Sequence, residues 1–333
     1  MSANRRLVVA LAGVLAVVFA FVASNVAANH EPKPHELPVG LIGSPPAAAA
    51  LAARLERSAP GSFAVRTYGS RAAARTAILH RTVYGAFEAG PRPTLLVAGA
   101  AGPAPELVLR RTFGAVARSR GQPLTVRDLV PLPAADSSGA STFSAMLSLI
   151  IAGVVGTSVI FLVTRDRPVP VRLAAVMTLG IGAGLVAALA TNVVVGAFSG
   201  HFLTVWAVWT LFLLALALPV AAFQVLLGLG GSAVGLVVFL VVGDPSAGGS
   251  GPEFLPGFWR AVSQLLPPGA VTTAMRDVVY FHGHGATGEL LVLAIYAIAG
   301  ATGALAANAA GIGAAARKRS HHPTTPELPH AIA

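Results

Sequence analysis

Residues 173–243 read LAAVMTLGIGAGLVAALATNVVVGAFSGHFLTVWAVWTLFLLALALPVAAFQVLLGLGGSAVGLVVFLVVG, 71 residues without an Asp, Glu, Lys or Arg. A helix rises 1.5 Å per residue, so crossing a hydrocarbon core about 30 Å thick takes about 20 apolar residues. The stretch therefore predicts three spans, near 173–195, 203–223 and 226–243. They are joined by Gly196–Phe202 and by a corner around Gln224, close to Gly228–Gly231. Outward on the N-terminal side, the uncharged run between Asp136 and Arg165 holds one more span over Phe143–Val163. Leu7–Ala28, directly after Arg5 and Arg6, holds another. Small residues close that first run (Ala23, Ser24, Ala27, Ala28), which keeps a cleaved signal peptide open as a reading; its length favours an uncleaved anchor. On the C-terminal side Leu290–Ala316 makes a sixth span, ending at Arg317, Lys318 and Arg319.

Composition agrees with lipid as the main solvent. The chain is 55% apolar and 11% charged, where soluble domains carry about 25% charge. Its formal charge of +10 does not point to nucleic acid, because 13 of the 23 basic residues lie in 29–141 among seven acidic ones, and no aromatic-interleaved basic stripe accompanies them. The remaining basic residues mostly flank apolar runs, where they set orientation. With six spans, the N-terminus, loop 164–172 and the tail after 316 share one side, predicted to be the cytoplasm. Segment 29–141 and loop 244–289 then lie outside. An Ala/Arg/Gly/Val-rich, Lys-poor chain of this kind fits the inner membrane of a high-GC bacterium. The absence of cysteine excludes disulfides and thiolate chemistry.

Segment 29–141 changes period. Short apolar runs at Val39–Ile42, Phe63–Tyr68, Val83–Phe87, Thr94–Val97 and Leu124–Val126 read as strands. Helical spacing fills 46–58, 70–80 and 104–119, with turns at Ser44-Pro45-Pro46, Pro60-Gly61, Gly90-Pro91 and Gly121-Gln122-Pro123. Strands alternating with helices predict a small extracytoplasmic α/β domain, inserted between the first and second spans of a six-helix transmembrane bundle.

No titratable side chain is expected deep in a span, as ion-coupled transport usually needs. There is no GxxxxGK[ST] motif, and the only lysines are Lys33 and Lys318, so no phosphate-cradling loop is expected on this chain. Neither a catalytic set nor a metal site is read from it; His282 and His284 have no carboxylate beside them in sequence to complete a metal site. Gly180, Gly182, Gly184, Gly300, Gly303 and Ala307 suit close helix packing. His321, His322 and His330 among prolines predict a disordered tail over 317–333.

Loop 244–289 is the most distinctive segment. Pro256 and Pro268 suit the first turns of two short helices carrying Phe258, Trp259, Leu266, Tyr280 and Phe281, and tryptophan and tyrosine settle at membrane interfaces. The expectation is a pair of outer re-entrant helices at about 253–282. Pro256, Phe258-Trp259, Leu266-Pro267-Pro268-Gly269, Arg276 and Tyr280-Phe281 resemble the ABC-2-type exporter permeases, in the phage-infection-protein-like branch with a large extracytoplasmic domain. Val83-Tyr84-Gly85-Ala86 and Val130-Pro131-Leu132-Pro133, with Asp136 and Gly139, are similar to that branch too. The short, proline-broken loop 164–172 departs from the family's ATPase-docking loop.

The apolar runs and loop charges thus divide the chain into cytoplasmic N-terminus and first helix (1–28), extracytoplasmic domain (29–141), five-helix membrane domain (142–316) and cytoplasmic tail (317–333), an order of elements that the family resemblance shares. The resemblance implies a permease for a hydrophobic drug, lipid or envelope precursor, working as a homodimer or paralogous heterodimer. A separate nucleotide-binding subunit would supply ATP. Pro256, Phe258, Trp259, Pro267, Pro268, Gly269, Arg276 and Tyr280 would form an outer gate. The other reading is a non-transporting envelope protein whose α/β domain binds a partner or surface polymer.

Overall fold

The computed structural model describes residues 3–30, 32–248 and 251–320. Helix α1 (Ala3–Asn29) leads into a domain of five strands: β1 (Leu37–Ile42), β2 (Phe63–Tyr68), β3 (Gly85–Glu88), β4 (Thr94–Val97) and β5 (Thr125–Asp128). Helices α2 (Pro45–Ser58), α3 (Arg71–Leu79) and α4 (Pro103–Arg118) connect them. The sheet order is β2-β1-β3-β4-β5, with β3–β4 antiparallel and every other pair parallel. Both faces are covered, so the central strands read as nearly continuous apolar runs. On one face Leu37, Val39, Leu41, Leu95 and Val97 meet α2 and α4, and Phe87 stacks on Phe113 at 4.5 Å. On the other face Ile42, Ala86 and Leu96 meet Ala74, Ala77 and Ile78 of α3.

The membrane part follows: α5 (Ser141–Val163), α6 (Val169–Ala188) extended by a π-helical turn at Leu189–Val194, and α7 (Phe202–Leu227). Next, α8 (Gly230–Leu236) runs through a π-helical segment, Val237–Gly243, into α9 (Asp244–Ala247). Two short helices, α10 (Gly257–Ser263) and α11 (Pro267–Tyr280), precede α12 (Ala286–Ser320). Six stretches are long and apolar enough to cross a membrane, and the chain is a multi-pass membrane protein with a mixed α/β sheet between its first and second spans.

Each span is displaced slightly from its expected bounds, for local reasons. Pro168 caps α6, which therefore starts at Val169 and includes Arg172, expected in the preceding loop. Arg172 is buried, and its guanidinium reaches back to the Thr164 carbonyl (3.3 Å) and lies 4.6 Å over the Phe161 ring. Such snorkelling lets a helix begin one turn earlier than its charge suggests. Helix α7 continues past the expected corner at Gln224 and ends where Gly228 turns to φ +61°. The fifth span consequently shifts to Gly230–Ala247 and takes in Asp244, which is buried at its end. Helix α12 runs beyond 316 to Ser320; the rest of the expected tail, with His321, His322 and His330, lies outside the described residues.

Helix α7 is the axis of the bundle, with most of its residues buried, whereas α1 is exposed along nearly all of its length. Trp209, Phe212, Leu213 and Leu216 fill the core toward α5 and α11, while Ala217, Leu218 and Ala221 pack on α6 and α12. Close approach is built from glycine, as the sequence suggests for some of these positions. A Cβ at Gly300 of α12 would overlap the backbone of Leu218 and Pro219, and one at Gly184 of α6 would overlap Thr210. At the opposite end of α7 from His201, Gln224 Nε2 donates to Ser232 Oγ (2.9 Å), and Ser158 Oγ lies 2.8 Å from the same oxygen, tying α5, α7 and α8. Helix α1 packs on the bundle near Val237–Ala247.

Gly300→Ala is expected to lower the thermal stability of the detergent-purified protein by about 1–3 kcal/mol, since backbone cannot retreat from the added methyl. Gly182→Ala, facing open space on α6, is expected to be neutral or to gain roughly 0.5–1 kcal/mol. Equal melting temperatures for the two variants would contradict this packing.

Candidate functional site

The α/β domain does not close its own core. Phe254, in a short 3-10 turn before α10, is 3% exposed and completes the face shared with α2 and α4. Phe281, just after α11, is 1% exposed and completes the α3 face. Two aromatics from the segment between the fifth and sixth spans thus clamp the domain from both sides. Sheet and loop must therefore lie on the same side of the bundle.

Polar contacts fix the clamp. Helix α3 ends at Leu79, and Arg81 takes φ +60°, the left-handed position usually left to glycine after a helix; the Thr82 amide donates to the Ala77 carbonyl (2.8 Å). This turn aims Arg81 at α11, where its Nε donates to Asp277 Oδ1 at 2.7 Å. The guanidinium also lies 5.3 Å from the Tyr84 ring centroid and 5.0 Å from that of Phe281. Tyr84 Oη donates to Glu253 Oε2 (2.8 Å), the His35 amide donates to the Glu253 carbonyl (2.8 Å), and His80 stacks on His284 at 4.1 Å.

Between these contacts lies a cavity of about 250 Å³ whose lining includes Arg81, Tyr84, Glu253, Arg276, Asp277 and Glu289. Burial pushes the Asp277 carboxyl up to about 6; Arg81 opposes the shift and Glu289 adds to it. Burial also raises the Tyr84 phenol, with Glu253 acting in the same sense. Arg276 is lowered, first by burial and then by the charge of Arg81. The cavity is a mixed-charge site, able to hold a polar group.

The residues singled out from sequence divide into groups. Pro256 is the N-cap of α10, one residue before its expected place in the first turn. Phe258 and Trp259 of α10 pack edge-to-face on each other at 5.1 Å; Phe258 is 62% exposed and neither lines the cavity. Pro267 and Pro268 open α11, where Pro268 packs on Gly243; a Cβ at Gly269 would overlap the Ser263 carbonyl. These three residues set the corner between α10 and α11. Tyr280 Oη lies 3.4 Å from the Ala197 carbonyl, and burial, reinforced by Asp136, pushes its phenol up to about 12. Of the eight, Arg276 alone lines the main cavity. Sequence reasoning missed Arg81, Glu253, Gln264, Asp277 and Glu289 as site residues. The available signal was an arginine two residues past a helix end where glycine is the usual choice.

The pH dependence of the clamp follows from Asp277. Its native value of about 6 exceeds the ordinary 3.8, so the folded state binds this proton more tightly than the unfolded chain does. That contribution is present below about pH 4 and is lost as pH rises through about 6. Asp277→Asn cannot titrate, so its stability relative to wild type should improve by about 2 kcal/mol from about pH 4 to about pH 7. Thermal unfolding of both proteins at the two pH values measures this; a difference that stays constant with pH would refute it. Compared with models of known families, with curated proteins and with solved structures, the chain matches none.

Proposed function

We propose that the chain is the permease subunit of an ABC-2-type exporter, with the α/β domain and the 248–285 segment outside the cytoplasm and both termini inside a bacterial inner membrane. The observation that carries this reading is the double attachment of α11. Through Pro268, which packs on Gly243, and through buried Ala270, Val271 and Met275 the helix is wedged against the bundle. Through Arg276, Asp277 and the following Phe281 it meets the α/β domain. A rearrangement of the spans would move α11, and α11 would carry the outer domain with it. Helix α10, with exposed Phe258 beside half-buried Trp259, suits a place at the bilayer interface as the outer rim of a gate. An apolar groove of about 390 Å³ between α7 and α12, lined by Pro219, Phe223, Ile295 and Gly300, favours a hydrophobic cargo. Energy would come from a separate ATPase, and a second copy or a paralogue would complete the path.

The reading of the α/β domain as a self-sufficient binding module is disfavoured by Phe254 and Phe281, since the domain alone would lack two of its core aromatics.

Two measurements test the proposal. In the cysteine-free chain, Arg92→Cys should react with an impermeant thiol reagent in intact cells and Asp166→Cys should not; the reverse pattern would overturn the orientation. Purification in mild detergent from the native host should bring down a nucleotide-binding subunit in stoichiometric amount. Should it repeatedly come alone, and should a Trp259→Ala, Arg276→Ala double variant leave efflux unchanged, the exporter reading fails.

A further inference from the structure

The cavity under the α/β domain has polar groups that the protein itself leaves incomplete. Two of its carboxylates are engaged, Asp277 by Arg81 and Glu253 by Tyr84. Three groups remain. The Arg276 guanidinium lines the cavity and makes no hydrogen bond or ion pair among the described residues, feeling Asp277 and Glu253 only at longer range. Glu289 Oε2 and Gln264 Oε1 are both shielded from solvent, and both lack a donor among the described residues. The Gln264 amide is oriented by its nitrogen, which donates to Ser263 Oγ (3.0 Å) and leaves the oxygen as a free acceptor. Buried polar atoms of this kind are costly unless something pairs with them.

The chemistry of what would pair with them is narrow. An anion alone satisfies Arg276 and leaves Glu289 worse off. A cation alone does the reverse. A molecule carrying an ammonium and an acidic oxygen a few bonds apart satisfies all three, with the ammonium donating to Glu289 and Gln264 and the oxygens accepting from Arg276. The volume, about 250 Å³, far exceeds what one ordered water needs. Glu289 lies in the first turn of α12, at the start of the sixth span, which places the cavity at the depth of lipid head groups. We propose that this cavity binds a small zwitterion of the phosphoethanolamine type, either as the head group of a bilayer lipid or as a free molecule. The site does not depend on whether the chain exports anything.

The absence of cysteine makes the test direct. Thr273 lines the cavity, so the full chain carrying Thr273→Cys is exposed in detergent to a small methanethiosulfonate reagent, with Arg92→Cys as an exposed reference. O-phosphoethanolamine should slow labelling at 273 at least tenfold and leave 92 unaffected. Ethanolamine or inorganic phosphate at the same concentration should not. Glu289→Gln, Arg276→Gln and Gln264→Leu should each raise the protecting concentration tenfold or more. Gln264→Leu alters no charge and carries the test if a charge variant fails to fold. Independently, O-phosphoethanolamine should raise the melting temperature of the unsubstituted protein. In nanodiscs without soluble ligand, slow labelling in phosphatidylethanolamine but not phosphatidylglycerol identifies a lipid head group. Fast labelling in both, slowed by added O-phosphoethanolamine, identifies a free zwitterion. Equal protection by phosphate alone, or neither protection nor a melting shift with O-phosphoethanolamine, would overturn the proposal.

Discussion

Within hydrocarbon, every peptide group must find its hydrogen-bond partner inside the protein, and the rest of this structure is arranged around that constraint. Helices meet it one by one, but they can then gain little from apolar attraction, because lipid tails are as apolar as leucine. Closeness of approach has to supply the attraction instead. Helix α7 achieves it on two sides, against Gly184 of α6 and Gly300 of α12, where backbone lies almost on backbone. Pro219 sits at the second crossing and has no amide hydrogen to offer, so the sequence places its helix-interrupting residue where a neighbouring helix packs most tightly. The π-helical segments at Leu189–Val194 and Val237–Gly243 belong to α6 and to the α8–α9 run, not to this axis.

Outside the bundle a different economy holds. A domain of some 90 residues can bury a modest core, but this one borrows Phe254 and Phe281 to finish it. The borrowed residues flank α10 and α11, so the two short helices are held at both ends by the domain above them and at their middle by the bundle. That geometry gives the segment few ways to move independently. It explains why Pro267, Pro268 and Gly269 occur together: two fixed φ angles start α11, and a residue without a side chain lets it pass the Ser263 carbonyl.

Most of this architecture was legible in the residues. All five strands and the three domain helices appear where alternation and turn residues put them, to within a few residues, because local periodicity determines them. Span ends were less legible. Arg172 and Asp244 are charges that the helices absorb, the first by snorkelling and the second by burial at a span terminus, and counting uncharged residues misplaces both. The site was only partly legible. Arg276 stood out as a charge beside the membrane, but the residues around it in the cavity are assembled across 196 residues between Arg81 and Asp277 and across 169 between Tyr84 and Glu253. No spacing rule reaches that far, and only the fold brings them together.

The ion pair between Arg81 and Asp277 poses a last physical question, which is what it contributes. A buried pair seldom adds net stability over an apolar contact of the same shape, since both charges surrender their water. Here the cost is compounded: Arg81 holds a left-handed backbone that an L-residue adopts at a penalty of about 1–2 kcal/mol. A structure selected for stability alone would place glycine at 81 and an apolar residue at 277. What the pair does achieve is selectivity among neighbours. Two arginines and three carboxylates crowd one cavity, and by claiming Asp277, Arg81 removes the acid adjacent in sequence to Arg276. Tyr84 engages Glu253 in the same way. The clamp therefore does two things at once: it docks the domain on α11, and it leaves Arg276 and Glu289 unspent on the wall of the cavity.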